Sequence, residues 1–255
     1  MSESALLEAN GIQLAPGSRA FGFRLGTGEI VGLAGLEGHG QATFLEVLAG
    51  VATPPGGTIS VVSHETRRTI HDGRTAYEHG IVYLPQDRKS EGIFPTLSIL
   101  DNFRILTLGR SSRHGFLSGR RAREAFERHR ERLDIVLSGS SAPITSLSGG
   151  NQQKVLLARL LEADPRVMLL NDPTRGVDYP TRLALFAAFE ELASRSGVAL
   201  VILSTEIDEI VAHCHRAVVF REQAPLVELA RDGLTREALL AGMFGLPAPS
   251  AGGGS

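Results

Sequence analysis

The stretch GLEGHGQATF, from Gly35 to Phe44, decides the fold of this chain. It follows the apolar run Ile30–Ala34, which predicts a buried strand, and it leads into a predicted helix. In such a turn, backbone N–H groups at a helix N-terminus hold phosphate oxygens, and small glycines let the backbone approach them. A glycine-rich turn between a strand and a helix is weak evidence when it stands alone. Phosphate binding is therefore a hypothesis that other parts of the chain must support.

The composition is that of an ordinary folded protein. The chain has 255 residues, 42% hydrophobic and 21% charged, which allows a substantial core. A formal net charge of -2 gives no basic footprint for nucleic acid. No apolar run approaches the roughly 20 residues that span a bilayer, and the N-terminus lacks the apolar region of a signal peptide. Cys214 is the only cysteine, so an internal disulfide is excluded and a reducing cytosol is expected.

The order of predicted elements indicates an α/β core that carries a helical lobe. Short apolar runs predict strands, and two later segments, Ser98–Leu108 and the arginine-rich Gly119–Val136, predict helices. Strands that alternate with helices are typical of a parallel sheet. The tail from Pro247 is rich in Pro, Gly and Ser and is expected to be flexible. The predicted strands are Ile30–Ala34, Thr58–Val62, Ile81–Leu84, Val167–Leu170, Ala199–Leu203 and Ala217–Phe220.

A second stretch, LSGGNQQKV from Leu147 to Val155, leads into an apolar helix. One interpretation is that Ser148 merely caps that helix. The other is that a serine, two glycines and the free N–H groups of the helix form an anion site.

A third stretch, VMLLNDPTRGVD from Val167 to Asp178, places polar groups at the end of a buried strand. Ligands of parallel sheets gather at that edge. Alternatively, the stretch is a strand followed by a simple turn.

Together, in this order and spacing, the three stretches resemble the nucleotide-binding domain of ATP-binding cassette (ABC) transporters, from about Leu6 to Gly245. The forms SGGNQQK, DRK and PTRGVD look most like the second ATP-binding half of importers for ribose-like monosaccharides, a family in which two halves are usually fused. The resemblance implies an α/β ABC ATPase fold: a mainly parallel P-loop-type sheet, an antiparallel N-terminal β portion and an inserted helical lobe. The expected division is a domain over 1–245, with the lobe at about 96–163, and a flexible tail over 246–255.

The resemblance also implies the roles of individual residues. Gln86 falls at a position that senses the γ-phosphate and links to the membrane subunit. Thr205 replaces a histidine that contacts the γ-phosphate in many relatives, and Asp178 matches an aspartate that communicates across a dimer. Gln86 could instead be an ordinary surface amide. The implied nucleotide-binding residues are Gly35, Gly38, His39, Gly40, Gln41, Ala42, Thr43, Gln86 and Asn171, and the implied signature is Leu147, Ser148, Gly149, Gly150, Asn151 and Gln152.

The positions that carry chemistry in the family are altered here. Gln41 replaces the loop lysine, Ala42 the hydroxyl that holds Mg²⁺, and Asn171 the metal-binding aspartate. A charge pair at about 4 Å is worth roughly 4 kcal/mol at an effective ε of 20, whereas a neutral hydrogen bond from Gln41 is worth about 1 kcal/mol. Asp172 occupies the general-base position but is one methylene shorter than the family's glutamate, and a misplacement of about 1 Å can cost about 100-fold in rate. We therefore expect little or no hydrolysis at this chain's own site.

The resemblance implies head-to-tail pairs in which each ATP lies between one chain's loop and the other's signature. We thus expect a heterodimer with an intact ATPase subunit, whose ATP site this chain completes through its signature. Mg²⁺ is expected at the partner's site, and no metal is assigned to this chain's own site. Transmembrane permeases would anchor it to the cytoplasmic face of the membrane, through a surface formed in part by Gln86, residues 87–92 and Phe94–Asn102. One alternative is a self-sufficient ATPase in which Asp172 and Thr43 compensate. Another is a regulatory protein that keeps the fold without a transporter.

Overall fold

The computed structural model describes residues 5–63, 66–108 and 119–246. Within them the chain forms ten strands and eight α-helices. The strands are β1 (Ala5–Gln13), β2 (Phe21–Gly26), β3 (Ile30–Ala34), β4 (Gly56–Ser63), β5 (Thr66–Ile70), β6 (Ile81–Leu84), β7 (Val167–Asn171), β8 (Ala199–Leu203), β9 (Arg216–Arg221) and β10 (Ala224–Ala230). The helices are α1 (Gln41–Leu48), α2 (Gly73–Glu78), α3 (Ile99–Arg104), α4 (Gly119–Arg132), α5 (Gly149–Glu162), α6 (Tyr179–Ser196), α7 (Ile207–His213) and α8 (Arg236–Phe244).

The larger sheet described has the strand order β10-β9-β3-β8-β7-β6. Strands β9, β3, β8, β7 and β6 run parallel to one another, and β10 pairs antiparallel with β9. Every residue of β3, β7 and β8 is buried, because helices and the second sheet cover both faces. The carboxyl ends of β3, β8, β7 and β6 therefore meet along one edge, where ligands of such sheets bind.

The second sheet is antiparallel, with the order β2-β1-β4-β5. It packs its apolar side against α1 and the larger sheet, where four phenylalanines meet. The ring centroid of Phe44 in α1 lies 5.3 Å from that of Phe21 and 5.2 Å from that of Phe23. It also lies 5.3 Å from the centroid of Phe220 in β9. This cluster fixes α1, and with it the loop that precedes α1, against both sheets.

The helical region between β6 and β7 contains α3, α4 and α5, with a π-helical turn at Arg88–Gly92 and 3-10 turns at Ile105–Thr107 and Ile144–Ser146. Phe103 of α3 and Phe126 of α4 are fully buried and meet edge to face, 5.3 Å apart. Among the described helices, none has the length and apolarity needed to cross a bilayer.

All six sequence-predicted strands are confirmed, with bounds that differ by at most two residues at either end. The helix predicted over Gly119–Val136 is too long, because it ends at Arg132. Asp134 adopts a left-handed backbone conformation (φ 49°), and the Ile135 N–H bonds back to the Arg130 carbonyl at 2.9 Å, which closes the helix end. The predicted flexible tail lies outside the described residues, except for Leu246.

Candidate nucleotide site

The glycine-rich loop connects β3 to α1, as the sequence predicts. Gly38 and Gly40 have positive φ angles of 80° and 106°, which favour glycine. Gly40 also lies so close to the β9–β10 turn that an added Cβ would be 2.9 Å from the Cα of Gln223. No side chain caps α1 at Gly40, so the N–H groups of its first turn stay available to an anion.

Gln41 turns its side chain into its own loop. Its Nε2 atom donates to the carbonyl oxygens of Gly35 at 3.0 Å and Leu36 at 2.9 Å. The side chain is 7% exposed, and its Oε1 atom has no hydrogen-bond partner among the described residues. Because both amide hydrogens are used, Gln41 offers no donor to a phosphate in this conformation. The hydrogen bond to phosphate expected from the sequence is replaced by two bonds that brace the loop.

The turn between β9 and β10 clamps the same loop from outside. Gln223, in a left-handed conformation (φ 65°), donates from its backbone N–H to the His39 carbonyl at 3.0 Å. Its Nε2 atom donates to the Gly38 carbonyl. Sequence analysis missed Gln223, because nothing in a turn some 180 residues downstream indicates which loop it will contact.

Asn171 ends β7, and its side chain contacts the neighbouring strand β6. It is 3% exposed and makes a side-chain hydrogen bond with Tyr83 of β6. Burial, with smaller contributions from nearby Glu46 and Glu91, raises the pKa of Tyr83 to about 12, and the bond with Asn171 opposes that rise. The Oδ1 atom of Asn171 has no partner in the described part of the chain.

Asp172 joins two of the other predicted site residues. It sits in a left-handed conformation (φ 48°), is 5% exposed and is held by hydrogen bonds on both carboxylate oxygens. Oδ1 accepts from the Thr205 backbone N–H at 2.8 Å, and Oδ2 accepts from Gln86 Nε2 at 3.0 Å. The ends of β6, β7 and β8 are thus tied together by one carboxylate.

A buried glutamate, also missed by sequence analysis, braces the neighbouring segment. Glu209 of α7 accepts from the Ser204 hydroxyl at 2.6 Å and from the Thr174 hydroxyl at 2.7 Å. Arg182 of α6 forms an ion pair with it at 3.4 Å. These contacts fix the chain on both sides of the Asp172–Thr205 bond.

The loop and the strand ends enclose a cavity of about 540 Å³. A second cavity of about 280 Å³ lies beside it and shares Gln86, Asp172, Arg175 and Thr205. The predicted residues His39 and Asn171 do not line the larger cavity. Its described lining is Ala34, Gly35, Leu36, Glu37, Gly38, Gly40, Gln41, Ala42, Thr43, Gln86, Asp172, Arg175, Leu203, Ser204, Thr205, Ile207 and Met243.

The residues present do not fit a resident Mg²⁺ ion. Within the described ranges, no group of three or more His, Cys, Asp or Glu side chains could hold a metal. Ala42 has no side-chain ligand atom, Asn171 is not part of the cavity lining, and each Asp172 oxygen already accepts one hydrogen bond. Mg²⁺ prefers carboxylate and phosphate oxygens in near-octahedral geometry, which this set does not supply.

The second predicted stretch forms the start of α5. Ser148 is the N-cap residue, and its Oγ accepts from the Asn151 backbone N–H at 3.4 Å and from Asn151 Nδ2 at 3.1 Å. The interpretation that Ser148 caps the helix is therefore correct, and it does not exclude the anion site. Buried Gln152 donates to the Leu147 carbonyl at 3.2 Å and holds the preceding turn. Gly149 lies against Arg88, since an added Cβ would be 2.3 Å from its guanidinium.

The start of α5 lies outside the cavity, and the other residue predicted at a dimer contact is exposed. None of the signature residues Leu147–Gln152 belongs to the described cavity lining. Asp178, the other residue predicted at a dimer contact, is exposed and caps α6 through the Thr181 N–H at 3.0 Å. That bond and the one from the Thr181 hydroxyl hold the pKa of Asp178 below its usual value.

Comparison with known proteins identifies the class. The model of the ABC transporter family matches residues 19–175, so the chain belongs to the ABC transporter family. Solved structures agree on the fold. One is a dimeric ATP-binding cassette in a post-hydrolysis state, bound to ADP and phosphate. Its TM-score is 0.76 at 18% identity, and the match covers 89% of this chain and 99% of that one. An ATP-binding cassette of an ABC transporter in its ADP conformation has a TM-score of 0.73 at 18% identity, covering 92% and 95%.

Two curated relatives are named ribose import ATP-binding proteins. The chain is 37% identical over 226 residues to ribose import ATP-binding protein RbsA 2 of Rubrobacter xylanophilus, covering 88% of this chain and 43% of the relative. It is 35% identical over 240 residues to ribose import ATP-binding protein RbsA 2 of Rhizobium etli, covering 94% and 47%. The chain thus spans less than half the length of these relatives.

Proposed function

We propose that this chain is an ATP-binding subunit, or the equivalent of one half of such a subunit, of an ABC importer for a monosaccharide. The names of its ribose import relatives support the substrate class. The motif forms SGGNQQK and PTRGVD support equivalence to the second, C-terminal half. The unit proposed is a nucleotide-binding domain over 1–245 with a helical lobe at about 96–163.

Its own nucleotide site is proposed to be degenerate. Nucleotide would lie on the loop Gly35–Thr43, with Gln86 and Thr205 near the γ-phosphate. The support is chemical: Gln41 donates to its own loop, Ala42 has no ligand atom, and Asp172 is tied to Gln86 and Thr205. A general base must reach the attacking water, and the short Asp172 side chain is held on Gln86 and Thr205 by a hydrogen bond to each oxygen. Turnover at this site would be small or absent.

The signature is proposed to act on the nucleotide of a partner. The observation that carries this proposal is that Leu147–Gln152 stand outside this chain's cavity while the helix behind them is intact and capped by Ser148. Donors at a helix start stabilise an anion only if the anion reaches them, so a second nucleotide-binding chain must deliver it. We therefore propose a heterodimer with an ATPase whose own loop is intact and holds ATP and Mg²⁺, with Asp178 at the contact.

Transmembrane permeases would hold this pair at the cytoplasmic face of the membrane. The formal net charge of -2 gives no overall basic character that would favour nucleic acid as a partner.

The test is ATP hydrolysis by the purified chain alone, and then by the chain assembled with an intact ATPase subunit and permeases. We expect no significant turnover alone and sugar-stimulated turnover in the complex. Robust hydrolysis by the isolated chain would establish a self-sufficient ATPase. Failure to assemble with any ABC permease, under conditions where the intact ATPase does assemble, would favour a regulatory protein without a transporter.

A further inference from the structure

Arg175 stands at the mouth of the nucleotide cavity with its backbone fixed and its side chain free. The Arg175 N–H bonds to the Asp172 carbonyl at 3.1 Å, and the Arg175 carbonyl accepts from Arg88 Nη1 at 3.1 Å. The side chain is exposed and makes no hydrogen bond or ion pair within the described residues. Its charge is a small influence on Asp87, whose pKa is lowered first by hydrogen bonds from Ser90 and Lys89.

The same residue supplies the positive charge of the cavity. Among the described residues that line the larger cavity, Arg175 is the sole lysine or arginine, whereas Glu37 and Asp172 are acidic. The chain has only two lysines, Lys89 and Lys154, and neither lines the cavity. A polyphosphate that enters this cavity therefore meets one side-chain cation.

We propose that Arg175 binds the terminal phosphate of a nucleoside triphosphate in this chain's own cavity and so replaces the cation that Gln41 lacks. This inference rests on the proposed nucleotide binding. The position sets the specificity: Arg175 lines the cavity beside Gln86, Asp172 and Thr205, at the end away from the first turn of α1. A diphosphate held by the loop would leave this end empty, so Arg175 selects ATP over ADP.

Arginine suits this position without a metal ion. Its planar guanidinium presents several donors that match phosphate bidentately, and it stays protonated at all relevant pH values. Since the residues around Ala42 do not fit Mg²⁺, a guanidinium carried on a fixed backbone is the remaining means of offsetting the γ-phosphate charge. The hydrogen bonds with Arg88 and Asp172 hold the backbone of Arg175 before nucleotide arrives, so binding has to order only the side chain.

The experiment is calorimetric titration of the full chain with ATP and with ADP, without Mg²⁺, for the wild type, Arg175→Ala and Arg175→Lys. The control is Arg68→Ala, which removes the same charge from exposed β5, outside both cavities. Loss of a charge-assisted hydrogen bond should weaken ATP binding about 10-fold or more in Arg175→Ala. ADP binding should change by less than about threefold, because the guanidinium lies beyond the diphosphate. Arg175→Lys should fall between, and Arg68→Ala should bind as the wild type does.

The results separate this inference from the proposed function. If Arg175→Ala binds ATP as the wild type does, or weakens ATP and ADP equally, Arg175 does not bind the terminal phosphate, although nucleotide binding stands. If the wild type binds neither ATP nor ADP, the proposed role of Arg175 is wrong. The proposal that the signature acts on the nucleotide of a partner chain is tested separately, by ATP hydrolysis in the complex. Thermal melting curves show whether each variant is folded. If Arg175→Ala melts at a lower temperature than the wild type, the ratio of ATP affinity to ADP affinity in Arg175→Lys tests the proposal instead.

Discussion

Asp172 and Gln86 are joined by a hydrogen bond of 3.0 Å from Nε2 of the amide to Oδ2 of the carboxylate. The other carboxylate oxygen accepts the Thr205 N–H at 2.8 Å. The residue at the general-base position therefore links the segment that leads into the helical region to the end of β8. A nucleotide that moves Gln86, Asp172 or Thr205 therefore disturbs the hydrogen bonds that hold the other two.

We expect Asp172→Ala to loosen this link. The Thr205 N–H would lose a charged acceptor, a bond worth about 1.5–3 kcal/mol, so its amide exchange should accelerate by about 10- to 100-fold. Asp172→Asn should have a smaller effect, because the Gln86 amide can rotate to present its oxygen to the new NH₂ group. Hydrogen exchange followed by mass spectrometry or NMR measures both. Unchanged protection in Asp172→Ala would show that the carboxylate does not hold the Thr205 N–H.

Gln41→Ala should destabilise the chain. The substitution removes both hydrogen bonds to the Gly35 and Leu36 carbonyls from a site with little access to water, so we expect a loss of about 1–3 kcal/mol in the free energy of unfolding. Gln41→Lys should retain most of the stability, since an ammonium group can donate to the same carbonyls. Urea unfolding measures the loss. Glu37→Ala, on the exposed side of the same loop, serves as the control and should change stability by less than about 0.5 kcal/mol.

Local patterns predict the elements that position the site. Ile81–Leu84 and Ala199–Leu203 are observed as the strands predicted, because apolar β-branched runs between turn residues leave few alternatives. Strands β2 and β10 alternate between buried and exposed residues and β5 is mostly exposed, so none of the three forms an apolar run that would predict it. Strand β1 was also not predicted, although four consecutive residues in it are buried. The resemblance alone indicated an antiparallel N-terminal sheet, and the structure confirms it.

The side-chain partners of the site could not be predicted in the same way. The sequence does not show whether the amide of Gln41 faces the ligand or its own loop. In the structure it faces the loop, because the Gly35 and Leu36 carbonyls accept both of its amide hydrogens. The bond from Gln223 to Gly38 spans 185 positions of sequence and depends on the adjacency of β9 and β3. From the sequence, Glu209 looks like an ordinary surface charge of a helix. Its role depends on the Ser204 and Thr174 hydroxyls, which only the fold brings next to it.

We predict that nucleotide binds weakly and almost independently of Mg²⁺. Ala42 and Asn171 supply no anionic ligand, so ATP affinity should change by less than about threefold when Mg²⁺ is added. The double variant Ala42→Ser, Asn171→Asp should gain Mg²⁺ dependence and should melt at a higher temperature with MgATP than without the metal. Calorimetry and thermal melts provide the measurements. A large gain in ATP affinity with Mg²⁺ in the wild type would contradict the assignment of a degenerate site.

The segment after Gln86 is the predicted permease contact. Ser90 and Thr96 are exposed beside Phe94, which is 45% exposed. Asn102, at the end of the expected surface, is buried and instead holds Phe94 through bonds at 2.8 and 3.0 Å, so it does not belong to that surface. Cysteines at Ser90 or Thr96 should cross-link to a permease in the assembled complex, and the native Cys214 is buried and should stay silent.

The matched control for cross-linking is Ser194→Cys, on an exposed part of α6. It should give no permease adduct under the same conditions. Absence of adducts from both Ser90→Cys and Thr96→Cys in a complex that still transports would place the permease on another surface.

The last prediction compares the two halves of the proposed asymmetry in one complex. Ser148→Arg should cripple ATP hydrolysis of the whole assembly, although the catalytic carboxylate lies in another chain, because charge developing on the transferred phosphoryl group needs preorganised donors from this helix start. Loss of one such donor costs about 100- to 1,000-fold in rate. A bulky residue at Gly149 should act in the same direction, since Arg88 already occupies the space beside that glycine.

Asp172→Asn, measured side by side, should change hydrolysis little, because this chain's own site contributes little turnover. Ser146→Arg is the control for an added arginine, since Ser146 is exposed two residues before the cap. Each variant must first be shown to assemble with the partner ATPase and the permeases. If Asp172→Asn abolishes turnover while Ser148→Arg leaves it intact, this chain is the catalyst and the two roles are reversed.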